Sequence, residues 1–139
     1  MPEINGKLLG GATLAYLGDA VYEVAVRRHL LEQGQTVPHK LHQLATHYVS
    51  AAAQAELIDA MTTAEILSAD EWSYFKRGRN AQSYTKAKNA DWATYSHSTG
   101  FEALIGYLAA TDQPERLREI LDWCLQTVDQ KLEQPRAKE

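Results

Sequence analysis

Cysteine is nearly absent from this chain of 139 residues, and what little there is excludes a good deal. Cys124 stands alone, so it forms no intramolecular bridge, rules out the usual cysteine-rich zinc patterns, and fits a reducing cytoplasm better than secretion. Long apolar runs are missing too. The longest clean one, Ala103 to Ala110, is far short of the ~20 residues a membrane-spanning helix needs, and the start of the chain, with Glu3, lacks a basic region followed by an apolar one. No membrane partner is expected. Valine and isoleucine are scarce as well, six and five against sixteen leucines and twenty alanines, which predicts an all-helical protein. Only four prolines and eight glycines punctuate it, with no internal repeat or low-complexity stretch. What is present, 45% hydrophobic and 23% charged residues, is the profile of one compact domain, expected over residues 1–132 with a disordered tail at 133–139.

The net charge of −4 argues by itself against nucleic-acid binding, but the average hides a pattern. Residues 51–75 carry five acids and no base, and residues 76–90 five bases and no acid. Positive charge is thus concentrated in one short segment.

Apolar spacing places a first helix from Leu8 or Thr13 to about Leu31, stopped by Gly34, with Leu14, Leu17, Val21 and Val24 as its core stripe. Thr36 caps a second helix entered through Pro38 and running to about Met61. Thr62 with Glu65 and Ser68 with Glu71 read as capping boxes, the second opening a helix that carries Trp72, Tyr74 and Phe75. Residues 78–90 show no apolar period and are expected to be a mobile basic loop. Helix resumes near Ser98, and Asp112 and Pro114 begin a last helix to about Leu132.

Two acids stand out. Asp19 lies mid-helix in an apolar stretch beside Gly18, among Ala12, Ala15, Tyr16, Tyr22 and Glu23. Glycine there costs the helix about 1 kcal/mol relative to alanine, which suggests close approach by another backbone. Glu102 shares a small-residue face with Thr99, Gly106 and Ala109. Two such faces could cross closely and bring the acids together, and carboxylates held a few ångströms apart either share a proton or hold a cation. Oxygen-only ligands favour magnesium. The plain alternative is that both acids face solvent or cap local groups.

The segment Tyr16-Leu-Gly-Asp-Ala-Val21 resembles the signature motif of ribonuclease III, and Phe101-Glu-Ala-Leu-Ile-Gly106 its second acidic motif. From about Leu14 to Leu125, through Arg77-Gly-Arg-Asn-Ala81 and Lys88-Asn89, the chain is similar to the compact Mini-ribonuclease III subfamily. The resemblance implies an all-helical, symmetric homodimer that cuts double-stranded RNA with Mg2+, leaves 5′-phosphate and 3′-hydroxyl ends, and lacks a separate RNA-binding domain. It also implies a ribosomal RNA precursor (23S) as substrate, and a ribosomal protein helper is plausible. Asp19 and Glu102 match the family's catalytic, metal-binding acids, whereas the positions of two further acids in the longer enzymes hold Ala15 and Thr99. Glu23, one turn after Asp19, is a candidate for a missing ligand. A magnesium ion held by these acids would orient water for in-line attack on a phosphodiester.

Lys76, Arg77, Arg79, Lys86 and Lys88 are candidates to neutralise phosphates, with Asn80 and Asn89 donating to phosphate or 2′-hydroxyl groups. The bland alternative is a solvated loop. His39 and His42 share a helix face but lack a third ligand, and His29, His47 and His97 show no partner pattern. Cys124 reads as a packed apolar residue, and Trp72, Trp92 and Trp123 as core or dimer packing, because duplex bases are not open to stacking. Two other functions fit the same residues: a catalytically silent dimer that binds structured RNA or a ribosome precursor, and a small helical interaction protein with structural acids.

Overall fold

Leucine and alanine at helical spacing leave little for a sheet, and the computed structural model, which describes residues 4–81 and 91–133, has no strand among the described residues. A short 3-10 turn, Gly6–Leu8, precedes α1 (Gly11–Glu32), α2 (Pro38–Val49), α3 (Ala51–Thr63), α4 (Ala69–Arg79), α5 (Trp92–Ala110) and α6 (Pro114–Glu133). The expected tail lies outside the described residues except for Glu133, which closes α6.

A helix apolar on every side must be surrounded. This one is α5, whose Phe101, Leu104, Ile105 and Leu108 are fully buried and which packs against α1, α3, α4 and α6. Rings lock it in place. Phe101 meets Tyr22 of α1 edge-on at 4.9 Å, and Tyr107 stacks on Tyr74 of α4 at 3.8 Å. Glu71 both completes a capping box with Ser68 and takes a two-pronged bond from Arg116 of α6, at 2.7 and 2.8 Å. Burial alone would raise the Glu71 pKa, but the Arg116 and Ser68 hydrogen bonds outweigh it and hold the carboxyl below its usual range.

Several element boundaries differ from the sequence reading. The long second helix is two helices, broken at Ser50, whose extended backbone (ψ 155°) and hydroxyl, accepting from the Ala53 N–H at 3.1 Å, start α3 afresh. Val37, not Thr36, caps α2, without a side-chain bond. Thr62 is no cap: its hydroxyl donates to the Ile58 carbonyl within α3, and Glu65 follows with φ 56°. Helix α4 continues through Arg79, past the expected start of the loop. Helix α5 begins six residues before Ser98, because the Asp91 carboxylate accepts from the Thr94 N–H at 2.8 Å.

The inward face of α1 also differs. It is Leu14, Ala15, Gly18, Tyr22, Val26 and Leu30, while Leu17 and Val21 are half-buried and Val24 is exposed. The small-residue side is the core side, since α5 comes so close there that only glycine fits. A Cβ at Gly18 would fall onto the carbonyl oxygen of Glu102 and 2.7 Å from the Gly106 nitrogen, and one at Gly106 onto the Leu14 carbonyl oxygen. The close approach inferred from Gly18 is therefore present.

His29 has the partner its sequence context did not reveal. Its Nε2 lies 2.8 Å from Asp129 Oδ2 on α6, and the same carboxylate accepts from the Tyr48 hydroxyl of α2 at 2.6 Å. Cys124 is fully buried; Trp72 and Trp123 pack against the core, and Trp92 is half exposed.

Candidate active site

Asp19 projects from the rim of the α1–α5 crossing, one residue past Gly18, and Glu102 is half-buried on the facing turn of α5. Backbone-to-backbone contact at Gly18 and Gly106 sets how far apart they sit. The Glu102 pKa is pushed up to about 8, first by burial, then by the charge of Asp19 and hydrogen bonding to it, with Glu23 adding a further push. Only a hydrogen bond from Gln54 pulls it down. Two acids so placed cannot both ionise freely, so one keeps a proton unless a cation replaces it. An all-oxygen pair of this kind suits a hard divalent ion.

Gln54 is the site residue that the sequence reading missed. It sits on α3, 2% exposed, with Nε2 3.5 Å from Glu102 Oε2 and Oε1 accepting from the Ser98 hydroxyl at 2.7 Å. Its signal was there: it stands three, four and seven residues before Leu57, Ile58 and Met61, as an amide on their buried stripe.

Glu23 is half-buried and near enough for its charge to act on Glu102, but it is also paired within its own helix. Its carboxylate accepts from Arg27 Nε at 3.2 Å, and among the described residues no three Asp, Glu, His or Cys side chains are gathered closely enough to hold a metal. Ala15 is buried, and the Thr99 hydroxyl donates to the Tyr95 carbonyl of its own helix at 3.1 Å.

A family model for the ribonuclease III domain matches residues 12–113. This chain belongs to the ribonuclease III family. Within it, the chain is 55% identical to a Mini-ribonuclease 3 of Enterococcus faecalis over 88% of its own length and 92% of that protein's. It is 53% identical to one from Streptococcus pneumoniae over 91% and 98%. A crystal structure of a Fusobacterium nucleatum protein shares the fold, with a TM-score of 0.74 at 23% identity over 86% of this chain and 94% of that one. Family membership places the chain among endoribonucleases, and both motifs that carried the resemblance lie inside the matched span. No helix among the described residues is long and apolar enough to cross a membrane.

The basic segment of this ribonuclease III-family chain divides in two. Lys76 is exposed at the end of α4, whereas Arg77 lies over the Tyr74 ring at 4.5 Å and donates from one terminal nitrogen to the carbonyls of Lys7 and Leu9, both at 3.2 Å. Arg77 therefore pins the 3-10 turn to α4. Arg79 donates to Asn80 Oδ1 at 3.3 Å from above the Phe75 ring. Lys86, Lys88 and Asn89 lie outside the described residues.

Proposed function

We propose that this chain is a magnesium-dependent endonuclease specific for double-stranded RNA, acting in the cytoplasm as a symmetric homodimer on a ribosomal RNA precursor. The observation that carries the reading is the Asp19–Glu102 pair at the close α1–α5 crossing of a ribonuclease III-family chain, where burial first and the Asp19 charge second push the Glu102 pKa up to about 8. Asp19 and Glu102 would hold the cation, which when bound supplies an activated water and offsets charge on the phosphodiester. The protein's part is to fix two oxygen donors at a backbone-defined spacing and to keep Glu102 half-buried, where its charge is poorly screened. Lys76, Arg79 and Asn80, with Lys86, Lys88 and Asn89, would grip phosphates and 2′-hydroxyls, a shape-based readout suited to duplex RNA. One acid pair per chain suggests two copies, one for each strand.

Support for fewer carboxylate ligands than in longer relatives comes from Ala15 and Thr99, neither of which carries a carboxylate; Ala15 is buried and the Thr99 hydroxyl donates within its own helix. The test is cleavage of a radiolabelled RNA duplex by purified protein with and without Mg2+, with Asp19→Asn as control. Cuts with 5′-phosphate ends that vanish in the variant are expected. Salt-dependent duplex binding with no cleavage at any Mg2+ concentration would favour the silent RNA-binding dimer instead.

A further inference from the structure

We propose that Gln54 is the positioning residue of the acid pair, a neutral clasp on α3 that fixes the direction of the Glu102 carboxylate through Ser98. The inference rests on the cation-binding reading above. Ser98 and Glu102 stand one turn apart on α5, and the amide of Gln54 bridges them: the Ser98 hydroxyl donates to Oε1 at 2.7 Å, and Nε2 faces Glu102 Oε2 at 3.5 Å.

Three features make this an orienting device. A primary amide has one acceptor end and one donor end; with Nε2 turned to the carboxylate, which only accepts, Oε1 is left for the Ser98 hydroxyl, and that short bond holds the amide in this orientation. Gln54 is 2% exposed, so water does not substitute for it. The donor is also uncharged. A lysine or arginine at this position would form an ion pair with Glu102 and compete with a cation, whereas an amide directs the carboxylate and leaves its charge available. Helix α3, which brings no acid to the site, thereby acquires a role in it. The 3.5 Å separation is long for an amide donor, as catalytic hydrogen bonds often are before substrate arrives.

Outer partners of this kind typically change metal affinity about 10- to 100-fold when lost. The test titrates Mn2+ into the metal-free full chain at one fixed pH and reads the free ion by electron paramagnetic resonance, for wild type, Asp19→Asn, Gln54→Met and Ser98→Ala. Gln54→Met keeps the volume and removes both ends of the amide; its Mn2+ dissociation constant is expected to rise about tenfold. Ser98→Ala, which frees the amide to turn over, should weaken binding in the same direction by less. In the cleavage assay Gln54→Met should need more Mg2+ for half-maximal rate, while turnover at saturating Mg2+ is largely kept.

A residue that merely packed would lower the unfolding temperature and leave Mn2+ affinity alone. That result, in a folded Gln54→Met protein, overturns the inference. If circular dichroism shows Gln54→Met to be unfolded, Ser98→Ala decides, and unchanged Mn2+ affinity in it has the same force. Wild-type binding that Asp19→Asn does not reduce is a different failure: it removes the cation site itself, and the clasp with it.

Discussion

Replacing Gly18 by alanine sets two effects of opposite sign against each other. On an exposed helix the change adds about 1 kcal/mol of stability by restricting the unfolded chain and improving helix propensity. At Gly18 the new methyl would land on the Glu102 carbonyl oxygen, 2.7 Å from the Gly106 nitrogen. Both are backbone atoms of a fully packed helix, so no side chain can swing aside, and α1 and α5 must part. Overpacking of this kind costs about 3 kcal/mol when the surroundings are rigid. The net expectation is a loss of about 2 kcal/mol, which at about 4 °C per kcal/mol for a domain of this size is a fall of about 8 °C in the unfolding temperature. Calorimetry of the metal-free protein reads it directly. Because the same crossing spaces the acids, cleavage by the folded fraction should fall about 100-fold, the usual consequence of a 1 Å misplacement. Unfolding at or above the wild-type temperature would refute the reasoning, since it would mean that the helices are not in backbone contact at Gly18.

Asp19→Asn and Glu102→Gln should each abolish cleavage while duplex binding persists, and the double variant should lose little beyond either alone, as for groups acting as one unit. Glu102 keeps its proton up to about pH 8 in the fold but releases it near 4.5 when unfolded, so the folded state binds the extra proton between those values. Metal-free stability in urea should therefore fall as pH rises from 5 to 8, Glu102→Gln should lack that fall, and Mg2+ should restore stability more at pH 8 than at pH 5. Asp129→Ala leaves the Tyr48 hydroxyl and His29 without their acceptor and should cost about 1–3 kcal/mol in thermal unfolding, with Tyr48→Phe in that background recovering part of it. Sedimentation at micromolar concentration should show a dimer; active protein that is only monomeric would contradict the two-site reading.

The acid pair was legible because an ionisable residue beside glycine in an apolar helix has few explanations, and Gly18 and Gly106 supply the close crossing those residues suggested. The same glycines misdirected the reading of α1. Periodicity counts large apolar side chains, so Leu17, Val21 and Val24 drew the core stripe, although the tightest packing is where no side chain exists at all. Ser50 was hidden by the alanines after it, which continue an apolar period straight through a backbone break. Asp91 was hidden by the absence of any period around it, since a cap leaves only one residue as its mark. Gln54 is a longer-range case: its register with Leu57, Ile58 and Met61 turns it inward, but its partners are 44 and 48 residues away, and nothing local says what a buried amide meets. His29 and Asp129, 100 residues apart, were beyond local reading for the same reason.

The central position of α5 also governs when the molecule comes into being. Helices α1, α3 and α4 each lay their inner faces on a helix that follows them in the chain, and Asp19 meets an acid 83 positions later. A ribosome making this protein therefore releases most of its core-forming surface before the surface that covers it. Until α5 has emerged, the nascent chain holds isolated acids and no paired site. A protein whose proposed substrate is a ribosomal RNA precursor would thus be inert at its own birthplace, becoming competent only once nearly all of it has left the machine that made it.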